Sequence, residues 1–374
     1  GIGPDKPPAA AALKEPEYPL AHSFRRDSLY CQRVLCVYLH LLEHWKVECA
    51  PQSPNDLLDD HFVEACQMLD YVEHLLDALM FAELEQRVQA VDMLMKNGVG
   101  DFSISTFMNW APQFPAGNLF LLPWFVSSEP NKYKALDAIE NGKAGAELKQ
   151  RLSKMGVEVI GWGEQGAREL TNNVRPVKTP DDLKNMKIRV VGSPLLMDVF
   201  KAMGANPVNI NWNETVTSLQ QNVVDGHENP YSYIISYKVY EFQKYVTEWS
   251  YWIDPLVYVA NKKVWNSFPA DIQKIIAECA VEAGMYNKCL SRLNLDDGTS
   301  ERWLKAKGLM PADNKTGAVD PRAYLKDHGT AVNVLTPDQI KQFRNKTESV
   351  YDKWTKIIGA DLIDLAKKDM ASVR

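Results

Sequence analysis

The sequence predicts an α/β protein built as two lobes, and three observations carry that expectation. Between Lys187 and Gly226 short β-branched or polar runs alternate with amphipathic stretches, giving strand, helix, strand, helix, the pattern of α/β units with largely parallel sheets. A chain of 374 residues is long enough for about two domains. Two extended runs, Val157–Trp162 and Tyr251–Asn261, are placed so that the chain passes from one half to the other and back.

In chain order, Gly1-Ile2-Gly3-Pro4, Pro7-Pro8 and the following alanines form a flexible lead-in. Residues 17–24 read as a first short strand, and Asp27 or Ser28 can cap a helix over about 28–44. Its apolar run from Val34 is too short to span a bilayer, which needs about 20 residues, and Arg25-Arg26 before it lies too far in for a signal peptide. Lys46–Ala50 alternates as a second strand, closed by Pro51. Over 55–83 a long helix places Leu57, Leu58, Phe62, Cys66, Leu69, Val72, Leu76 and Leu79 on one face. Its acidic opposite face is read as solvated, the alternative being a partner-binding surface, including a homodimer contact. A helix from Glu83 to Lys96 stops at Asn97-Gly98.

Asp101–Ser105 alternates as a strand, a proline-punctuated loop covers 111–131, and a helix covers 131–154. Lys187–Val191 is a strand, followed by a helix that Ser193 caps with Pro194 in its first turn. Leu195, Leu196, Val199, Phe200 and Met203 are its buried stripe. Asn206–Asn211 is the next strand, Asn213 caps a helix over about 214–224, Gly226 stops it, and Asn229 lies just beyond. A long helix starts at Phe268-Pro269 with Ile272, Ile275, Ile276, Cys279 and Ala283 inward, 307–321 is a surface loop, and Pro337–Met370 is helical.

Composition narrows the function. With 45% hydrophobic and 24% charged residues and a net charge of −6, the chain is ordinary for a globular protein, and its mild acidity with no basic run argues against a nucleic-acid partner. Cys31, Cys36, Cys49, Cys66, Cys279 and Cys289 lack zinc-ligand or C-x-x-C spacing. No hydrolase elbow, phosphate loop, dinucleotide or metalloprotease motif occurs, so no catalytic residue, cofactor or metal is expected. Arg189, inside Ile-Arg-Val-Val, is the informative residue: a guanidinium keeps its proton, so a buried one needs an anionic partner. Ligands of open α/β sheets lie beyond the carboxyl ends of strands, where Arg189 and Trp212 fall.

The stretch Gly166-x-Arg168-x-Leu170-Thr171-Asn172-Asn173-x-Arg175-Pro176-Val177, continued by Lys187-Ile188-Arg189-Val190, Met203-Gly204-Ala205-Asn206-Pro207-Val208 and Asp225-Gly226-His227-Glu228-Asn229-Pro230, resembles the substrate-binding proteins of TRAP transporters, the DctP-type family. The resemblance is near-continuous from about 98 to 283. It implies a periplasmic-binding-protein-like fold of two lobes with crossing strands and a long helix spanning both. Lobe I would take 16–165, with the helix over 55–83 an insertion in it and 255–294 returning to it; lobe II would take 166–254, with 295–374 packed on it. Hinges would fall near Gly163–Gly166 and Ile253–Pro255.

By the same resemblance the protein is a periplasmic solute receptor, its signal peptide absent from this chain, that hands a small organic acid (a carboxylate or sulfonate) to a TRAP membrane permease. Arg189 would pair with the ligand's carboxylate, Arg168 would be a second donor, Asn229 an orienting donor and Trp212 an aromatic wall. Thr106, Asn109 and Trp110 would line the first lobe's side. Trp162 joins them as a further tryptophan near the cleft, and His227 stands where glutamine is usual. Two alternatives are an enzyme or sensor using His227 and Glu228, and an interaction protein docking through 55–83.

Overall fold

A computed structural model describes residues 100–309 and 320–373. The elements expected before residue 100, the inserted helix 55–83 with its homodimer or docking face, and four of the six cysteines lie outside the described residues. Cys279 and Cys289 are free thiols, half-buried and buried.

Strand β1 (Phe102–Thr106) ends in Thr106, whose Oγ1 accepts the Met108 N–H at 3.0 Å and turns the chain into α1 (Phe107–Trp110). The helix expected over 131–154 is two, α2 (Lys132–Asn141) and α3 (Lys143–Lys154). The break is at Gly142, where a side chain would collide with the Asp369 carboxylate. That carboxylate accepts the N–H groups of Lys143 and Ala144 at 3.1 and 2.8 Å, serving as the cap that α3's own sequence lacks.

Strand β2 (Val157–Asn172) is the axis of the molecule. Its first part pairs with β7 (Ile253–Asn261), which also pairs with β1, and its second part pairs with β5 (Gly226–Pro230) and β6 (Tyr245–Glu248). Irregularities in the β2–β7 register fall at Val159/Gly161 and Glu164/Gly166. Gly166, at φ +121, occupies backbone space open in practice to glycine alone. Parallel to β5 runs β3 (Lys187–Val190), followed by α4 (Pro194–Ala202), β4 (Asn206–Asn209) and α5 (Trp212–Gln220). Ser193 caps α4 as expected, and the five residues of its apolar stripe are buried.

Several expectations need correction. Sheets described as largely parallel are mixed, because the strands that cross between the halves run antiparallel. The helix after β4 starts at Trp212, with Asn211 rather than Asn213 at its cap, and ends at Gln220. Asn229 is not in a turn past a helix but inside β5, all five residues of which are buried.

Beyond β5 come α6 (Tyr231–Ser236), α7 (Lys262–Ser267) and the long α8 (Ala270–Arg292). The face of α8 also differs from expectation. Ile275 is 43% exposed, while Ala280, Gly284, Lys288, Cys289 and Arg292 are buried. Small residues decide this: a Cβ on Gly284 would stand 2.0 Å from the Trp162 carbonyl oxygen, so helix and crossing strand touch backbone to backbone. The far end of α8 is fixed by charge, Arg292 reaching Asp137 and Glu164 at 2.8 Å, and Lys288 binding Asp137 and Glu140. Helices α9 (Thr299–Ala306), α10 (Pro321–Asp327), α11 (Pro337–Lys346), α12 (Glu348–Ile358) and α13 (Ala360–Ala371) follow, with β8 (Ala331–Val334) adding parallel to β6. No helix among the described residues is long and apolar enough to cross a membrane.

Candidate functional site

Arg189 sits third in β3, 2% exposed, with Val208 of β4 and His227 of β5 as its register neighbours. Its Nε donates to the Ile210 carbonyl at 2.8 Å, which fixes the stem, and the guanidinium carbon lies 5.6 Å from the centre of the Trp212 ring. Trp212, half-buried, opens α5 just after the carboxyl end of β4. It stacks on His227 at 6.1 Å and meets the edges of Tyr233 and Tyr237 at 5.3 and 4.8 Å. A fixed cation is thus held against an aromatic ring.

Strand β5 supplies two more polar groups. His227 and Asn229 are two residues apart and therefore share a face. His227 is fully buried, its Nδ1 2.6 Å from Thr171 Oγ1, and its Nε2 has no hydrogen-bond partner among the described residues. Burial, then the charges of Arg189 and Arg168, hold the imidazole well below its ordinary pKa. Asn229 is buried too, and its Nδ2 has no partner among the described residues. Buried donors and acceptors are nearly always satisfied, and these two, without a partner among the described residues, share the strand face that adjoins the buried arginine's register position.

Arg168 differs from expectation. Its Nε and Nη2 bind the Glu228 carboxylate at 2.5 and 2.9 Å, Nη2 also reaches the Glu228 carbonyl at 2.9 Å, and Nη1 reaches Asp254 at 3.0 Å and Gln165 at 3.4 Å. All five N–H groups are engaged inside the chain, so any contact with a ligand would come at the expense of one of these. Trp252 lies 5.2 Å from the guanidinium carbon, and Tyr251 donates to Glu228 at 2.8 Å. Burial raises the Asp254 carboxyl to about 7, against the lowering pull of Arg168 and of a Thr106 hydrogen bond. The network joins β2, β5 and β7 where the two parts of the sheet meet. Sequence reading missed Asp254 and Tyr251, although an acid between Ile253 and Pro255 in an apolar run was a usable signal.

On the β1 side, Thr106 is shared between the α1 cap and Asp254. Asn109 donates to Ser105 at 3.3 Å, and Trp110 is buried with its Nε1 unpartnered. Trp162 packs against Phe107 and Phe120 at 5.8 and 6.2 Å, which makes it a core side chain with an unsatisfied Nε1. The structure therefore brings Arg189, Trp212 and His227 together, sets Asn229 two residues along the same strand face, and joins Thr106 to the Arg168 network. His227 and Glu228 are not brought together as a dyad: consecutive strand residues face opposite sides, and Glu228 is held by Arg168 and Tyr251. Among the described residues no group of three or more His, Cys, Asp or Glu could hold a metal ion.

Residues 80–296 match the profile of bacterial extracellular solute-binding protein family 7, DctP. The chain is 34% identical over 202 residues to the 2,3-diketo-L-gulonate-binding periplasmic protein YiaO of Escherichia coli K12, a match covering 54% of this chain and 60% of that one. It is 29% identical over 268 residues to the C4-dicarboxylate-binding periplasmic protein DctP of Vibrio cholerae, covering 71% and 70%. Among solved structures, a TRAP periplasmic solute-binding protein from Ralstonia eutropha H16 with bound (S)-2-acetolactate superposes with a TM-score of 0.66 at 37% identity, over 76% of this chain and 84% of that one. This chain has the two-lobed α/β fold of those proteins.

Proposed function

The chain belongs to bacterial extracellular solute-binding protein family 7, and from that premise we propose that it is an extracytoplasmic receptor that closes two lobes over one small organic acid. The observation that carries the proposal is Arg189, a buried cation at a strand end, packed against Trp212, with His227 as its register neighbour and the Asn229 amide, unpartnered among the described residues, two positions further along that strand. Arg189 takes the carboxylate through its planar fork, Asn229 donates to a second ligand oxygen, and Trp212 covers the ligand body. The relatives named above are described with a sugar acid, a C4-dicarboxylate and a hydroxy-keto acid, all carboxylates, which supports an acid as the ligand class.

Arg168 acts behind the ligand, holding β2 to β5 and β7, while Thr106, Asn109 and Trp110 meet the ligand from the other lobe. The lobes hinge near Gly163–Gly166 and Ile253–Pro255, and the loaded form delivers its acid to a TRAP-type permease without turning it over. Closure takes the ion pair out of water, and micromolar affinity needs only about −8 kcal/mol. Mass spectrometry of acid released from freshly purified protein, followed by a thermal-shift screen of organic acids, tests this. A single released acid that also raises the melting temperature is expected; release of a chemically changed product would sink the receptor reading.

A further inference from the structure

We propose that His227 is a specificity-determining residue that presents a bare imidazole nitrogen to the ligand and thereby selects acids bearing a hydroxyl beside the carboxylate. The inference rests on the receptor proposal and deepens it from an acid to a hydroxycarboxylate.

The polarity of the imidazole follows from its neighbours. Thr171 has one hydroxyl proton, and that proton is given to the Gln243 Oε1 at 3.0 Å. With the Gln243 amide oxygen facing Thr171, the 2.6 Å contact between Thr171 Oγ1 and His227 Nδ1 is donated by the ring. A neutral imidazole carries one N–H, and burial together with Arg189 and Arg168 keeps this one neutral. The proton sits on Nδ1, so Nε2 is an acceptor. It is fully buried, and among the described residues nothing donates to it.

A buried acceptor without a donor costs about 1–3 kcal/mol, and a ligand hydroxyl removes that cost. The hydroxyl's position on the ligand is set by the sheet. His227 is the direct register partner of Arg189 on the neighbouring strand, and adjacent strands are about 4.8 Å apart. An acid group on Arg189 therefore leaves its nearest substituent within reach of Nε2. Asn229 Nδ2, an orphan on the same strand face, is a donor, so it pairs with a ligand oxygen and cannot replace the missing hydroxyl. Donor and acceptor on one strand face read an acid differently from a site of donors alone. A deoxy acid would satisfy Arg189 and Asn229 but leave Nε2 stranded.

The test is calorimetric titration with matched acids: malate against succinate, 2-hydroxyisovalerate against isovalerate, and gluconate against its 2-deoxy counterpart. In whichever pairs bind, the hydroxy member should bind about 10- to 100-fold more tightly. His227→Leu should collapse that ratio, and His227→Gln, whose amide oxygen can accept, should restore it in part. Equal affinity within every binding pair, or a ratio that survives His227→Leu, overturns the inference while leaving the acid-receptor proposal intact. No binding of any acid takes down both. If His227→Leu fails to fold, 15N NMR of the wild-type ring decides: an Nδ1–H tautomer whose Nε2 resonance moves with the hydroxy acid and not its deoxy partner is expected, and an Nε2–H tautomer overturns the assignment.

Discussion

Consider Arg168→Met, which keeps most of the stem's volume and removes the cation. Arg168, Glu228 and Asp254 are each at most 1% exposed, and Arg168 gives all five of its N–H groups to protein acceptors. The variant strands two carboxylates in the interior, with Tyr251 and Thr106 left to one each. Removing one partner of a buried ion pair costs about 3–5 kcal/mol, which for a chain of 374 residues is a fall in melting temperature of roughly 4–6 °C. The pH dependence has a definite sign. The Asp254 carboxyl is already raised to about 7 in the folded protein, above its ordinary unfolded value, and loss of Arg168 raises it further. A carboxyl with a raised folded pKa stabilises the fold at acid pH and loses that contribution as pH rises. The deficit of Arg168→Met should thus be largest near pH 8 and shrink towards pH 5. Thermal melts of both proteins followed by circular dichroism across that range measure it. A deficit equal to less than about 2 °C, or one that grows on acidification, would refute the assignment of Arg168 as a buried structural cation.

Three further outcomes are expected. Asn229→Asp puts an acid where the orphaned amide stands and should abolish the thermal shift given by the bound acid, weakening binding by about 100-fold; a titration with unchanged affinity would remove Asn229 from the site. Gly284→Ala drives a methyl group to 2.0 Å from the Trp162 carbonyl and should destabilise by at least about 1–3 kcal/mol, read from urea midpoints, whereas a neutral change would mean that α8 does not lie against β2 this closely. Glu140, raised to about 7 chiefly by burial, costs the fold stability as pH rises from about 5 to 8, so Glu140→Gln should gain on the wild type over that range; parallel stability curves would contradict it.

How much of this was legible depended on which force fixes each element. The α4 helix could be read residue by residue, because Ser193, Pro194 and the stripe from Leu195 to Met203 are local signals that the buried pattern repeats. Strand β3 was equally plain, and Arg189 stood out because a charge interrupts its apolar run. Strand β5 was illegible: Gly-His-Glu-Asn-Pro carries no apolar alternation, and the residues are buried only because Arg168, Thr171 and Tyr251 arrive from elsewhere to satisfy them. The face of α8 was misread for a related reason. Isoleucines gave the strongest periodicity, yet the contact with β2 is set by Ala280 and Gly284, where absent side-chain bulk permits close approach. For the site, Arg189, Trp212 and His227 could be singled out one by one, but the internal capture of Arg168 by Asp254 spans 86 positions of sequence, and the acid's place in an apolar run flagged Asp254 without naming its partner.

The most direct measurement is a calorimetric titration of wild type and Arg189→Met with the acid that copurifies. Two charge-assisted hydrogen bonds to a carboxylate contribute about 3–6 kcal/mol, so affinity should fall by at least about 100-fold while the unliganded variant still unfolds cooperatively. Undiminished affinity in Arg189→Met would contradict the claim that this strand-end arginine holds the ligand's acid group.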